Sequence, residues 1–324
     1  MRFELDDQQR DFAASIDAAL AAADMPAAVR AWAAGDTAPG RKVWARLADL
    51  GVTALAVPER FGGIEAHPVD LVVAFEQLGR WCVPGPVTES IAVAPVLMAD
   101  DDRAEGLASG ELIATVALPP AVPRAVDAGA AGLVLLACEG VVSDATPHAS
   151  HASVDPSRRL YDVSASGDGR PADVPRAFEA GALATAAQLI GAGQAMLSAA
   201  VDYAKQRTQF GRLIGSYQAI KHKLADVYVA TELARSNAYY GAWALASNAP
   251  ELPVAAAAAR ISANEAFFVA AKENIQVHGG MGYTWQFDCH LYYRRAKLLS
   301  LALGSTRLWK DRLIGQLETA NAPL

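Results

Sequence analysis

Apolar positions in the first third of the chain recur at helical spacing. Phe12, Ala13, Ile16, Ala19 and Leu20 follow an Asp-rich opening, and the pattern predicts a helix over 5–23. Further helices are predicted over 43–50, ended by Gly51, and over 69–81 and 91–98, with Pro84-Gly85-Pro86 breaking the last two apart. Between them Val52-Thr53-Ala54-Leu55-Ala56-Val57-Pro58 reads as extended chain running into a Gly62-Gly63 turn. These elements make an N-terminal helical domain over 1–110. After Gly110 the texture changes to short runs at 112–118, 132–137 and 160–163, separated by Pro119-Pro120, Pro123 and a polar stretch at 143–153. That is strand-and-turn chemistry with too few runs for a barrel or sandwich, so 111–176 is expected to be a small, reduced β-domain. Helical spacing then returns over 180–206, 217–246 and 254–276, with shorter pieces at 288–299 and 306–317. Long helices with short connections predict a helical bundle over 177–324. The expected fold class is mainly α with a small β region.

Composition narrows the function classes. The 324 residues carry 28 basic against 35 acidic side chains, a formal charge of −7, which gives no electrostatic footprint for nucleic acid. With 52% hydrophobic and 19% charged residues the chain can bury a large core and is not disordered. The most apolar stretch, 128–142, is cut by Glu139 and too short to span a bilayer, so no membrane association is expected. Residues 1–10 are polar and acidic, unlike a secretory leader. Cys82, Cys138 and Cys289 are scattered without metal or CxxC spacing, which points to a reduced cytoplasmic protein free of disulfides and structural zinc.

Several chemistries drop out at once. There is no GxSxG elbow, no HExxH and no P-loop. Gly191-Ala192-Gly193 lies inside a helical run without a preceding strand and reads as a helix-packing site, not a dinucleotide turn. His148 and His151 fall in the polar stretch with no further ligands near them, so they read as solvated loop residues and no metal site is expected. Two segments remain. Arg207-Thr208-Gln209-Phe210-Gly211-Arg212, continuing to Tyr217-Gln218, is an Arg-rich, Gly-punctuated connection between two long helices. Its guanidinium groups can neutralise phosphate, and Phe210 offers a flat apolar face. Gln276-Val277-His278-Gly279-Gly280-Met281-Gly282 exposes backbone N–H groups that could hold a pyrophosphate. Taken singly, a plain helix–helix loop and a helix C-cap are equally open readings.

Taken together, at this separation, the two segments closely resemble the flavin-binding elements of the acyl-CoA dehydrogenase family. The resemblance extends to Leu50-Gly51-Val52 and to Val57-Pro58-Glu59-Arg60-Phe61-Gly62-Gly63, which look like a turn of the family's N-terminal helical domain. Val154-Asp155-Pro156-Ser157-Arg158-Arg159-Leu160 is similar to a late segment of its middle β-domain. Tyr293-Arg294-Arg295-Ala296-Lys297 matches a tyrosine–arginine–aspartate–alanine–lysine run except that Arg295 replaces the aspartate. The resemblance implies an α-domain, a β-domain and a four-helix bundle. It also implies FAD as cofactor and removal of an acyl α-proton by a base while the flavin accepts the β-hydride. Carried over by position, Arg207, Gln209, Phe210, Gln218, Gln276, Gly279 and Gly280 are the residues expected to touch FAD, acting on the neighbouring subunit's cofactor.

The same resemblance exposes absences. The slots where family members carry their catalytic glutamate fall on Leu303 in one lineage and Gly181 in the other, and neither can take a proton. Glu179 is two residues from Gly181, about 200° around a helix. The flavin-ring motifs of the middle domain are missing. The expectation is therefore a non-catalytic partner that completes the FAD site of a second acyl-CoA dehydrogenase subunit. That second subunit would supply the base to an acyl-CoA substrate. Short paired members of this kind act in actinobacterial steroid breakdown as α2β2 assemblies. Two alternatives stand beside it. One is a homomeric dehydrogenase whose base is Asp288 or Glu179, although Asp288 also reads as the N-cap of the helix from Cys289. The other is a non-catalytic acyl-CoA or FAD-binding scaffold.

Overall fold

A capping box, in which Asp6 and Gln9 exchange side-chain and backbone hydrogen bonds, starts α1 (Asp7–Ala21). The computed structural model describes residues 4–320. After α1 come α2 (Met25–Ala33), α3 (Ala38–Asp49) and α4 (Pro68–Arg80). Sequence reading missed α2, although Met25, Ala28, Val29 and Trp32 are buried at helical spacing. The 52–58 segment is not extended as expected. Gly51 turns left-handed (φ 76°) and Val52–Ala54 tightens into a 3₁₀ turn. The 91–98 helix starts earlier, as a π-helical turn at Glu89–Val93 that runs into α5 (Ala94–Leu97), and a short α6 (Ala104–Ala108) follows.

The middle segment forms β1 (Ala114–Ala117), β2 (Ala125–Val126), β3 (Leu133–Cys138), β4 (Val141–His151), β5 (Leu160–Ala165) and β6 (Arg170–Pro171). Strand order is β1-β3-β4-β5-β2, with β6 on β4; only β1 and β3 run parallel. The polar stretch at 143–153 is thus largely strand, not loop. Val141–Asp144 pair with β3 and Ala145–His151 pair with β5, while much of the strand's surface faces solvent, so its side chains are polar although its backbone is in the sheet. His148 and His151 are strand residues, bonded to Ser164 and Asp162 respectively, each at 2.6 Å.

Five α-helices follow among the described residues: α7 (Val174–Gln206), α8 (Gln218–Ala246), α9 (Leu252–His278), α10 (Cys289–Leu299) and α11 (Thr306–Ala320). The α4 and α7 backbones approach closely because of two glycines. A Cβ on Gly191 would lie 1.8 Å from the Glu76 carbonyl oxygen, and one on Gly79 would lie 2.0 Å from that of Gln188. This accounts for the Gly-Ala-Gly run as helix packing. The span Leu252–Tyr283 is long and apolar enough to cross a membrane, but 61% of its most apolar window is buried inside the protein, as a core helix requires.

Two buried ion pairs join the helical and β parts. Arg158, with no exposed surface, donates to the Glu89 carboxylate at 3.1 Å and to the Gly85 carbonyl at 3.2 Å. Arg295 of α10 donates to Asp155 at 2.5 Å, to the Val83 carbonyl at 3.0 Å and to Ser157 at 3.0 Å. Burial pushes Asp155 up, but Arg295 and the Ser157 donors outweigh it and hold the carboxyl below the usual range. The arginine that departs from the family run therefore has a carboxylate of its own.

Removing one member of such a pair strands the other charge in the interior. Asp155→Ala should cost about 3–5 kcal/mol of stability in urea titration. A loss under about 1 kcal/mol, the range of exposed pairs, would show that Arg295 reaches water.

Candidate functional site

At the end of α7 the chain leaves the helix at Arg207 and turns back as a hairpin of β7 (Thr208–Gln209) and β8 (Arg212–Leu213). Phe210 (φ 55°) and Gly211 (φ 80°) form its two-residue tip, the left-handed pair that a tight hairpin demands. Phe210 is therefore thrust outward, 92% exposed. The Arg212 guanidinium lies 3.9 Å over the Tyr217 ring, which fixes the approach to α8.

The Gly-rich turn follows α9. Gly279 adopts φ 60°, ψ −138°, a conformation essentially reserved for glycine. A Cβ on Gly280 would meet only the Tyr283 hydroxyl at 3.7 Å, whereas one on Gly282 would lie 2.7 Å from the Ile275 carbonyl oxygen. Gly282 thus serves packing, and Gly279 and Gly280 front solvent. Tyr203, one turn before Arg207, stacks on His278 at 4.3 Å, with Phe287 edge-on to both. That stack brings the two segments to one end of the bundle. Arg207, Gln209, Phe210, Gln218, Gln276, Gly279 and Gly280 are all exposed. Among the described residues no carboxylate pairs with Arg207. Such a set offers a cation, amide groups, open backbone and a flat apolar ring to something outside the chain, and encloses nothing by itself.

The other predicted positions lie in the interior. Leu303 is buried, holds an unusual φ of 54°, and its carbonyl accepts the Trp309 indole N–H at 3.0 Å. A Cβ on Gly181 would lie 2.7 Å from Leu303 Cδ1 and 2.6 Å from Val93 Cγ2. The two slots, about 120 positions apart in the chain, therefore face one another, leucine against bare backbone. Beside Leu303 is a cavity of about 170 Å³ lined by Glu89, Val126, Arg158, Leu160 and Leu298. A cavity of about 150 Å³ takes one benzene, so this one does not take a three-ring flavin.

Sequence reasoning did not single out Glu89 or Arg158 at this cavity, nor Asp127, whose carboxyl feels both charges. Their signal was available for Glu89, a lone charge in the run Val87-Thr88-Glu89-Ser90-Ile91-Ala92-Val93. Burial pushes the Asp127 carboxyl up to about 6, with Arg158 opposing. Arg158 Nε and Asp127 Oδ2 are buried without a protein partner.

The two fallback carboxylates point elsewhere. Glu179 is ion-paired with Arg312 of α11, whose guanidinium lies near the Phe178 and Trp309 rings. Burial pushes it up to about 7 despite that partner. Asp288 occupies the N-cap position of α10 but makes no cap hydrogen bond, contrary to the expected capping role. Its carboxylate is drawn instead to Arg30 of α2, 2.5 Å away.

The acyl-CoA dehydrogenase C-terminal domain model matches residues 168–315, and the N-terminal domain model matches residues 6–100. Acyl-CoA dehydrogenase IpdE2 of Mycobacterium tuberculosis is 37% identical over 289 residues, covering 87% of this chain and 88% of that protein. The IpdE2 of Mycolicibacterium smegmatis is 34% identical, covering 89% and 92%. Among solved structures, the Tcur3481-Tcur3483 steroid ACAD superposes with a TM-score of 0.84 at 21% identity, covering 98% of this chain and 99% of that one. The ChsE4-ChsE5 complex from Mycobacterium tuberculosis gives 0.82 at 22%, covering both chains fully. At those identities the superpositions show a shared fold.

Two predictions follow from the interior geometry. Leu303→Ala should lower stability by about 2–5 kcal/mol through lost contacts and a cavity, read by chemical denaturation. Glu179 titrates near 7 when folded against an ordinary 4.5, so the folded state holds an extra proton between those values. Stability should therefore fall as pH rises through that window, and Glu179→Gln should flatten the fall in Tm. An unchanged slope would mean that Glu179 is not the group responsible.

Proposed function

This chain belongs to the acyl-CoA dehydrogenase family, and on that premise we propose that it is the non-catalytic subunit of a FAD-dependent, heteromeric member acting on a steroid-derived acyl-CoA. The observation that carries this reading is the contact between Leu303 and Gly181. A general base must lie within hydrogen-bond reach of the proton it removes. Both positions at which members of the family hold that base are apolar here, and they pack on each other. The base therefore comes from the partner subunit.

FAD, when bound, accepts the β-hydride. This chain's residues fit its phosphate and ring-edge half. Arg207 would neutralise a phosphate, Gln209, Gln218 and Gln276 would donate amide N–H groups, and Gly279 and Gly280 would admit close backbone approach. Phe210 would cover an apolar face. Because all seven are exposed, they complete a cofactor held mainly by another chain. The small cavity beside Leu303 supports the complementary half of the argument, since this chain has no room for a flavin ring of its own there.

The partner surface is supported by Tyr228 and Leu233 on α8, Phe268 on α9, and Tyr283 and Trp285 beyond it, all more than half exposed. Large exposed apolar side chains in this number are available to a partner chain. The ChsE4-ChsE5 neighbour is a complex of two differently named chains, which fits a pairing of unlike subunits. The Tcur3481-Tcur3483 steroid ACAD, which shares this fold, favours a steroid-derived acyl group. Free, buried Cys82 and Cys289 fit a reducing cytoplasm.

In the assembled complex, Asp288→Asn and Glu179→Gln should leave turnover per bound flavin nearly intact. A loss of about 10²-fold or more from either, with flavin retained, would move the base into this chain and overturn the proposal. Arg207→Ala should weaken flavin retention by about 1.5–3 kcal/mol without altering folding, read as flavin released on dilution. Full retention would remove Arg207 from the cofactor site.

A further inference from the structure

A cavity of about 550 Å³ lies apart from the exposed Arg-rich and Gly-rich segments and shares no lining residue with the cavity beside Leu303. Its walls come from three regions: Leu55 and Leu71 of the N-terminal helical part, Ala92 and Val96 of the π-turn and α5, and Ala180 and Leu245 of the bundle. Ala92 and Ala180 are the chain neighbours of Val93 and Gly181, so the cavity sits behind the apolar contact that Leu303 closes. Pockets of this size take drug-sized molecules, and apolar walls with a few polar groups at the mouth are their usual form.

The mouth decides what enters. Its charged and polar groups are Glu65, His67, Asp173 and Arg176. Two carboxylates, Glu65 and Asp173, face one guanidinium, an excess of negative charge that disfavours phosphates and fatty-acid carboxylates alike. The coenzyme A half of a thioester therefore does not belong here. Arg176 is held by the Asn248 side-chain oxygen at 2.6 Å and the Leu245 carbonyl at 3.2 Å, and no carboxylate among the described residues pairs with it. Its remaining N–H groups are available to an uncharged oxygen. Pro58, Pro68 and Pro95 stiffen the walls, which favours a rigid occupant over a flexible chain.

We propose that this cavity is a second ligand site, which takes an uncharged, rigid, fused-ring lipid carrying a keto or hydroxyl oxygen, seated with that oxygen at the Arg176 rim. The ring class rests on the steroid reading above; the cavity, its volume and the charge at its mouth do not.

The test is equilibrium dialysis of androst-4-ene-3,17-dione against the purified chain, in whatever assembly it forms, with decanoate as the anionic probe. Ala56→Trp and Ala99→Trp each place an indole in the cavity from half-buried or exposed positions, and each variant's Tm and circular dichroism verify folding. The dione should bind saturably, each variant should remove one class of site or weaken it at least about tenfold, and decanoate should bind at least about tenfold more weakly. Absence of saturable dione binding would overturn the proposal, as would binding untouched by both variants or decanoate binding as tightly. Subunit ratio and flavin content of the same sample report separately on the proposed function, so its failure is distinguishable from failure of this site.

Discussion

Two buried guanidinium groups hold the loop between β4 and β5 to the π-turn and to α10, and the arrangement of the three regions depends on them. Arg158 leaves that loop for Glu89 in the π-turn, and Arg295 enters it from α10 to reach Asp155 and Ser157. Buried pairs of this kind add little net stability over an apolar replacement, but breaking one is costly. Their effect is to allow one relative placement of loop, turn and helix. That placement sets Leu303, four residues after the end of α10, against Gly181 on α7.

The two halves of the site have opposite physical character. The hairpin tip and the Gly-rich turn face outward, with an arginine lacking a carboxylate and an almost wholly exposed Phe210. A monomer in water gains nothing from exposing that phenyl ring, since burying it would be worth about 1.5–3 kcal/mol. The interior half is closed by leucine and glycine, with room beside it for one small ring. An exposed recognition set joined to a filled catalytic cleft is what a subunit needs if it completes another chain's cofactor site and performs no proton transfer.

Much of this was legible in the sequence where periodicity and motif agreed. The three long bundle helices and the helix–sheet–helix order follow from apolar spacing, and the paired Arg-rich and Gly-rich segments pointed to the family. Errors arose where local pattern and tertiary pairing part. Polar β4 carries no alternating apolar face because most of its side chains face solvent, while its backbone pairs with β3 and β5, so it read as loop. Val52–Ala54 has strand-like composition but is turned by Gly51. Asp288 stands where a cap stands, yet Arg30, distant in sequence, draws its carboxylate away. The pairing of Arg295 with Asp155 could not be read from either position alone, since it joins residues 140 apart.

Native mass spectrometry of this chain co-expressed with a glutamate-bearing acyl-CoA dehydrogenase subunit tests the central claim most directly. The account predicts an assembly with equal numbers of the two chains and one FAD for each unlike pair, and little flavin on this chain purified alone. A homo-oligomer of this chain carrying one FAD per subunit and oxidising an acyl-CoA would contradict it.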